Sequence, residues 1–328
     1  MLQVLEYQKD LAKVAVMGNA NLPPHIPVIS FLDMIRESKK SDQPIVFHAR
    51  RNDEMIQALV AKAVFGARLK IVFTSTAQRH HSRFTKWLMK RMDGILTTCQ
   101  AADSYLTERR ADRIIPHGVD VTRFNASKDK KADWKKLGFG GTYGIGAFGR
   151  VRPSKGTDLL VDAGIRLLPR YPGFNIIICG ECLAKDRPFQ RELEKRIEDA
   201  NLGNRIRFIG KQPFENLPSL FSALTVVAAL SRHEGFGLTP LEAMASGTAV
   251  LTSEAGAWPE IIENGVTGYL SKTGDLDDVI QKLEMLIKSP RECRQMGMRG
   301  RQLVEEKFTA EREAREITEH LLACVSRS

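Results

Sequence analysis

The stretch YGIGAFGRVRPSKG, residues 143–156, decides how the second half of the chain folds. Its Gly144-x-Gly146-x-x-Gly149 spacing matches the glycine pattern of dinucleotide-binding enzymes, in which a strand precedes the glycines and a helix begins within them. Here Gly144 and Gly146 lie inside the apolar run Tyr143–Phe148, and a proline follows before a helix can begin. The order of elements therefore disfavours an NAD site, and an NAD oxidoreductase is the weakest alternative for the function.

Three cations follow this predicted strand, at Arg150, Arg152 and Lys155, and a helix is predicted from Thr157 onward. Ligands of open α/β sheets bind at the carboxyl ends of the strands. Because arginine is a forked donor and lysine a compact charge, such a cluster suits a diphosphate. The alternative is a solvated basic loop without a ligand.

Short apolar runs alternate with amphipathic stretches along the chain, which predicts parallel sheets with helices on both faces. Helical periodicity is clearest at Thr157–Leu168 and Asp275–Ile287, and Thr309–Ser328 is predicted to be one long helix. The predicted strands are Lys13–Met17, Pro44–His48, Leu69–Thr74, Gly94–Thr98, Arg113–Pro116, Tyr143–Phe148, Phe174–Cys179, Arg205–Ile209, Leu224–Leu230 and Thr248–Thr252.

A polar, lysine-rich linker is predicted at Ser127–Lys136, between the two series of strands. We therefore expect two doubly wound α/β domains, residues 1–138 and 139–308, that face each other across a cleft. The helix at 309–328 is expected to pack back on the first domain.

The composition, with 43% hydrophobic and 27% charged residues, is typical of a folded globular protein. No apolar run approaches the ~20 residues of a membrane span. Because charged residues occur within the first ten positions, we expect no signal peptide there. The five cysteines are scattered, as in a reducing cytoplasm. The Cys179-x-x-Cys182 pair has no second pair to complete a zinc site, so we expect two ordinary thiols and no bound metal, with redox use of the pair as the alternative.

The net charge of +10 is concentrated in the first half of the chain. Residues 1–138 hold 24 Lys and Arg against 14 Asp and Glu, whereas residues 139–328 are neutral. This asymmetry predicts an anionic partner for the first domain, which could be nucleic acid, a phosphorylated substrate or a membrane surface. The alternative is that the charge provides solubility alone.

The segment RHEGFGLTPLEAMASG, residues 232–247, follows another predicted strand. Thr239 is predicted to cap a short helix, with Pro240 at its first position and Gly247 at its end. Gly235, Phe236, Gly237 and Leu238 then present backbone N–H groups ahead of the helix, where anions or sugar oxygens can bind.

Two carboxylates, Glu234 and Glu242, lie eight residues apart in this segment. A carboxylate can accept two hydrogen bonds from a vicinal diol such as that of ribose or a hexose. For Glu242 the alternative is a capping box with Thr239. Glu234 precedes two glycines at a strand end, where a structural role is hard to name.

These features resemble the retaining GT-B glycosyltransferases of family 4. Glu234 and Glu242 match their Glu-x7-Glu motif, and the resemblance covers nearly all of residues 140–290. The other matching segments are Gly149-Arg150…Lys155-Gly156, Ile115-Pro116-His117-Gly118-Val119-Asp120…Phe124 and Ala255-Gly256-Ala257-Trp258-Pro259-Glu260…Asn264-Gly265…Gly268.

The resemblance implies a GT-B fold of two Rossmann-like domains and transfer from a nucleotide-sugar donor without a metal or cofactor. Arg150 and Lys155 are implied to bind the diphosphate, Glu234 the sugar hydroxyls and Glu242 the ribose. Departure of the diphosphate is then assisted by cations, and a phosphate oxygen accepts the acceptor proton. The remaining implied donor contacts are Gly149, Gly235, Phe236, Gly237, Leu238 and Thr239.

In the first half, the segments Phe47–Met55 and Lys70–Arg79 look like those of mannosyltransferases that build the lipopolysaccharide inner core of α-proteobacteria. This implies GDP-mannose as donor, an anionic Kdo-lipid A acceptor and a location on the cytoplasmic face of the inner membrane. The acceptor-side candidates are His48, Arg50, Arg51, Thr76 and Arg79.

Two departures from the family pattern concern the first domain. The chain starts at what looks like the helix after the family's first strand and Gly-rich loop, which are expected to be missing. Ser75 and Thr76 stand where many relatives have a histidine, and His48 is the candidate substitute. The alternatives are therefore a catalytically incomplete protein that binds anionic glycolipid, or a family 4 transferase with another donor or acceptor.

The segment Arg79–Met92 is basic and amphipathic, with Phe84, Trp87, Leu88 and Met92 near one helical face. It is predicted either to dock on an anionic membrane surface or to pack that face into the core. Nucleic acid is not an expected partner, because no recognised binding motif accompanies these charges.

Overall fold

The computed structural model describes residues 2–18 and 22–326. The chain divides into two compact units, one formed by Met1–Gly118 with Thr309–Ser328 and the other by Val119–Phe308. The predicted boundary after residue 138 is therefore about 20 residues too late, because residues 119–138 pack with the second unit.

The elements are numbered in chain order. The strands are β1 (Val16–Met17), β2 (Val28–Ile29), β3 (Ile45–Ala49), β4 (Leu69–Ser75), β5 (Gly94–Thr97), β6 (Arg113–Ile114), β7 (Tyr143–Phe148), β8 (Phe174–Cys179), β9 (Ile206–Gly210), β10 (Val226–Ala229), β11 (Ala249–Ser253) and β12 (Tyr269–Ser271). The helices are α1 (Leu2–Leu11), α2 (Phe31–Lys40), α3 (Asn52–Ala63), α4 (Arg83–Met89), α5 (Gln100–Ser104), α6 (Lys130–Lys136), α7 (Thr157–Leu167), α8 (Arg187–Asp199), α9 (Leu217–Ala223), α10 (Thr239–Ala245), α11 (Trp258–Ile261), α12 (Leu276–Lys288), α13 (Pro290–Lys307) and α14 (Ala310–Ser326).

The first unit contains a parallel sheet in the order β3-β4-β5-β6 and a separate parallel pair, β1 and β2. Strand β4 is buried on both faces, as expected for a parallel strand covered by helices. Ile71 packs into a core cluster with Met55 of α3 and Leu88 of α4. Val72 points to the opposite face and packs into a cluster with Ile317 of α14.

The second unit contains six parallel strands in the order β12-β11-β10-β7-β8-β9. Its first strand, β7, is central, and the chain proceeds to β8 and β9 on one side before it returns to β10 on the other. The strand order therefore reverses between β7 and β10. In doubly wound folds the ligand crevice lies at this reversal, beyond the carboxyl ends of the strands.

All ten predicted strands are present, β7 and β8 with the predicted ends and the other eight with shifted ends, whereas β2 and β12 were not predicted. The last two residues of the predicted C-terminal helix lie outside the described residues.

The predicted linker at Ser127–Lys136 is wrong. Its residues Lys130–Lys136 form α6, a helix whose Trp134 is 1% exposed because it packs against β7.

The glycines of β7 are explained by this packing. A Cβ atom at Gly144 would lie 2.4 Å from Cζ3 of Trp134, and one at Gly146 would lie 2.3 Å from Cδ1 of Leu224. Both positions lie inside the strand, where neighbouring side chains occupy the space of a Cβ. The Gly-x-Gly part of the pattern therefore serves core packing and does not form a dinucleotide turn.

We expect Gly144→Ala to lower the free energy of unfolding by about 1–3 kcal/mol, because the methyl group overpacks the contact with Trp134. Gly203→Ala is the matched control, since a Cβ there meets nothing within 4 Å. Urea denaturation of both variants measures the difference. Equal midpoints for Gly144→Ala and the wild type would contradict this account of the β7 glycines.

Candidate functional site

The loops after β7 and β10 meet beside the reversal in strand order and form a pocket. Its lining includes Phe148, Gly149, Arg150, Lys155, Glu234 and Thr239. The structure thus brings together the two segments whose chemistry the sequence singled out, although they are about 80 residues apart.

Two glycines shape the loop after β7. Gly149 has a φ of 126° and donates its N–H to the carbonyl of Cys179 at 2.9 Å. Gly156 has a φ of 67°, and a Cβ there would lie 2.0 Å from the carbonyl oxygen of Leu230. Only glycine fits this position, so α7 begins in contact with the end of β10 and Lys155 lies beside the second loop.

Lys155 and Glu234 form an ion pair across the two loops, between Nζ and Oε2. The same carboxylate oxygen accepts a hydrogen bond from the Ser231 hydroxyl at 3.2 Å. Arg150 is exposed and forms no ion pair with any described residue. The pocket therefore holds one cation that is already paired and one that is available to an anionic ligand.

Arg232 ties the two loops together. Its guanidinium donates two hydrogen bonds to the Asp158 carboxylate, at 2.9 and 2.7 Å, and a third to the Pro153 carbonyl at 2.6 Å. Its backbone N–H donates to the Ser154 carbonyl at 2.8 Å. The bonded Asp158 raises the pKa of Arg232, so the pair stays charged. This clamp fixes the segment that carries Lys155 relative to the segment that carries Glu234.

A buried tryptophan supports the glycine loop after Glu234. Trp258 is 1% exposed and donates its indole N–H to the carbonyl of Gly237 at 3.1 Å. Gly237 has a φ of 78°, and a Cβ there would lie 2.6 Å from the indole nitrogen and 2.8 Å from Cγ of Glu234. The second glycine of the motif is therefore required by close packing around Glu234. Phe236 is buried, whereas Leu238 is exposed.

The predicted helix cap is wrong by one residue. The N-cap of α10 is Leu238, which makes no side-chain capping bond, and Thr239 is the first helical residue. Because Thr239 does not cap the helix, the capping-box explanation for Glu242 lacks its partner. Glu242 donates its backbone N–H to Leu238, and no described residue donates a hydrogen bond to its carboxylate. Burial raises the pKa of Glu242 to about 7.

In the first unit, His48 lies on β3 and its Nε2 is 2.7 Å from the Thr74 hydroxyl on β4. Burial, together with the nearby charges of Arg50 and His320, lowers the pKa of His48 to about 3. Burial also lowers the pKa of Arg50. His48 is therefore a neutral imidazole beside a partly buried guanidinium.

The remaining acceptor-side candidates are more exposed. Arg51 precedes α3 and pairs with Asp53 at 3.2 Å and Glu54 at 3.1 Å. Thr76 and Arg79 follow β4 and are exposed. Because β3 and β4 are parallel neighbours, these residues and His48 all lie towards the same edge of the sheet.

Comparisons with known proteins concern the family and the fold of the chain. The family model described as "Glycosyl transferases group 1" matches residues 129–303. The lipopolysaccharide core biosynthesis mannosyltransferase LpsB of Rhizobium meliloti (strain 1021) is 36% identical over 97% of this chain and 91% of its own. The chain belongs to the group 1 glycosyltransferase family. The mannosyltransferase LpcC of Rhizobium leguminosarum bv. viciae, also named for lipopolysaccharide core biosynthesis, is 36% identical to this glycosyltransferase over 93% of the chain and 86% of its own length.

Solved structures extend the likeness to the fold. HepE from Anabaena, in complex with UDP and glucose, matches 98% of this chain and 94% of its own with a TM-score of 0.83 at 22% identity. The C-terminal domain of the group 1 glycosyltransferase LpcC from Francisella tularensis is 38% identical over 58% of this chain and 99% of that domain, with a TM-score of 0.57. The fold is GT-B, as the sequence predicted.

We expect Glu242→Gln to stabilise the protein and to weaken nucleotide binding. The pKa of Glu242 is about 7 in the folded protein against 4.5 when unfolded, so its contribution to stability is lost as the pH rises from about 4.5 to 7. The variant should match the wild type near pH 4 and exceed it at pH 8, by up to about 3 kcal/mol. Its amide has one acceptor oxygen instead of two and carries no charge, so the Kd for nucleotide should rise.

The measurement is denaturant unfolding at pH 4, 6 and 8, with nucleotide titration by calorimetry at pH 8. Glu260→Gln, an exposed carboxyl in the same unit, is the control. A Glu242→Gln variant that loses stability at pH 8 would show that the carboxylate has a structural partner.

We expect Arg232→Lys to raise the Kd for nucleoside diphosphate about tenfold, because lysine cannot make the forked pair with Asp158 and the bond to Pro153 together. Arg166→Lys is the matched control, since Arg166 lies on α7 in an exposed pair with Asp277 at 3.1 Å. Calorimetric titration compares the two variants. Equal affinities would mean that the clamp does not position Lys155.

Proposed function

We propose that the protein is a retaining hexosyltransferase that transfers mannose from GDP-mannose to the inner core of lipopolysaccharide. The observation that carries this proposal is the meeting of Arg150, Lys155 and Glu234 in one pocket at the strand-order reversal of the second unit. Glu242 lies on α10, whose first residue, Thr239, lines the same pocket. The relatives named as lipopolysaccharide core mannosyltransferases support the sugar and the acceptor, since each aligns with more than nine tenths of this chain.

In this proposal the second unit binds the donor. Arg150 and Lys155 neutralise the departing diphosphate, and removal of one such donor typically costs about 3 kcal/mol of barrier height. Lys155 already pairs with Glu234. A diphosphate that pairs with Lys155 therefore replaces the Glu234 carboxylate by a phosphate oxygen. The Glu234 carboxylate is then released to accept hydrogen bonds from the sugar.

The rest of the donor contacts come from the motif around α10. Glu242 accepts the ribose hydroxyls, which supply the donors that its buried carboxylate lacks in the protein. Backbone groups from Gly235 to Leu238, with Gly149 and Thr239, surround the diphosphate and the sugar. The acceptor attacks from the face that the diphosphate leaves, and a phosphate oxygen accepts its proton.

The basic first unit binds the acceptor in this proposal. Arg50, Arg51 and Arg79 suit an anionic acceptor such as Kdo-lipid A, and Thr76 and the neutral His48 supply hydrogen bonds. Because lipid A is anchored in a bilayer, we place the protein peripherally on the cytoplasmic face of the inner membrane. Within the described residues, the helices are all too short or too polar to cross a bilayer.

We expect GDP to raise the melting temperature, UDP and NADH to leave it unchanged, and Glu242→Ala to abolish the GDP response. The reason is that the nucleotide binds through its ribose and its diphosphate at once, so loss of the ribose contact at Glu242 weakens the binding of the whole nucleotide. A thermal-shift panel of the three compounds measures this. Equal responses to all three would overturn GDP as the donor nucleotide.

We expect Lys155→Ala to lower kcat for mannosyl transfer at least about 100-fold, because a cation on the leaving group acts mainly in the transition state. Mass spectrometry of Kdo-lipid A incubated with GDP-mannose measures the product, and Lys195→Ala, at an exposed position on α8, is the control. Lipopolysaccharide binding without turnover in the wild type would favour the alternative of a catalytically incomplete binding protein.

A further inference from the structure

The basic amphipathic segment Arg79–Met92 divides between the core and the surface. Leu88 and Met92 are buried in the core of the first unit. Phe84 and Trp87, by contrast, are 53% and 48% exposed on α4. Their rings stack with centroids 6.0 Å apart, at an angle of 13°. The segment therefore packs one face inward and still presents an aromatic pair to the outside.

Helix α3 adds a second row of exposed apolar side chains. Ile56, Val60 and Val64 are all exposed and recur every four residues, so they lie along one side of the helix. A solvent-facing stripe normally carries polar residues. Helices α3 and α4 pack against each other, and the Asn52 amide of α3 donates to the Thr85 hydroxyl of α4 at 2.9 Å. We call these five exposed side chains, Ile56, Val60, Val64, Phe84 and Trp87, the α3–α4 face.

Cations accompany this face. Residues 55–92 contain eight Lys and Arg and no Asp or Glu. Arg91 lies over the Trp87 ring, with Cζ 3.6 Å from its centroid, and Arg83 forms no ion pair with any described residue. Lys90 pairs with Glu108 at 2.6 Å, but the pair is exposed and exposed pairs are weak. An anionic surface would therefore find several cations beside the aromatic pair.

We propose that the α3–α4 face docks the protein on the surface of an anionic lipid bilayer. Aromatic rings on an apolar surface with Lys and Arg beside them are the composition of segments that lie in the membrane interface. Lysine is depleted in protein–protein interfaces, and a nucleic-acid site has no use for an aliphatic stripe. The inference deepens the proposed function, on which it rests for the lipid-anchored acceptor.

Trp87 provides a direct readout. The protein has three tryptophans, and Trp134 and Trp258 are each 1% exposed, so Trp87 alone is open to the surroundings. We expect vesicles of phosphatidylglycerol to shift the fluorescence emission to shorter wavelength and to carry the protein to the top of a flotation gradient. Phosphatidylcholine vesicles should do neither. Trp87→Phe should abolish the spectral shift and still float.

Phe84→Ser/Trp87→Ser should reduce the fraction bound to phosphatidylglycerol vesicles about tenfold, and Arg83→Gln/Lys90→Gln should reduce it at low salt. Leu322→Ser, at an exposed apolar residue of α14, is the matched control and should bind like the wild type. Circular dichroism confirms that each variant folds. Wild-type protein that stays unbound, or an equal loss in the control, would overturn the proposal.

Transfer assays separate this proposal from the proposed function. Phe84→Ser/Trp87→Ser should keep wild-type transfer to detergent-solubilised acceptor and lose it for acceptor held in vesicles. Vesicle binding without transfer to either acceptor would leave the docking surface standing and overturn the transferase function. Equal transfer by this variant and the wild type to both acceptors would overturn the docking surface alone.

Discussion

The contact between Gly156 and the carbonyl of Leu230 sets the geometry of the second unit's ligand crevice. A Cβ at Gly156 would lie 2.0 Å from that oxygen, so any other residue would push α7 away from β10. This approach brings Lys155 to Glu234 and lets Arg232 reach both Asp158 and Pro153. The reversal in strand order separates the two loops, and the glycine contact allows both of them to line one pocket.

Local patterns predicted most of the second unit. The strands are apolar runs bounded by turn residues, so β7 and β8 were predicted with their observed ends. The carboxyl ends of β7 and of the predicted strand Leu224–Leu230 then placed Arg150, Lys155 and Glu234 on one edge of a parallel sheet. That edge is fixed by the direction of the strands, which is why a site could be predicted without knowing the tertiary contacts.

Several errors arose where the decisive contact lies on another element. Helix α6 looks polar because Trp134 is its one fully buried residue, and Gly144, against which Trp134 packs, lies on another element. The Arg232–Asp158 clamp joins residues 74 positions apart, and nothing around either residue in the sequence marks the pair. Thr239 was assigned as a cap because its type suits that position, whereas Pro240 fits the second helical residue as well as the first. For Arg79–Met92, the sequence could not show which apolar residues pack into the core, because that depends on tertiary contacts with other elements.

Glu234 and Glu242 belong to one motif, and their surroundings differ in a way that separates their roles. Within the protein, the carboxylate of Glu234 forms an ion pair with Lys155 and accepts a hydrogen bond from the Ser231 hydroxyl. Glu242 lies on a packed helix, receives no hydrogen bond from any described residue, and has a pKa near 7 because of its burial. An uncompensated buried carboxyl costs stability, and a neutral residue of the same shape would remove that cost. A ligand that brings hydroxyl donors to that position would remove this cost, which is the reason for proposing that Glu242 binds the ribose, whereas Glu234 already has partners within the protein.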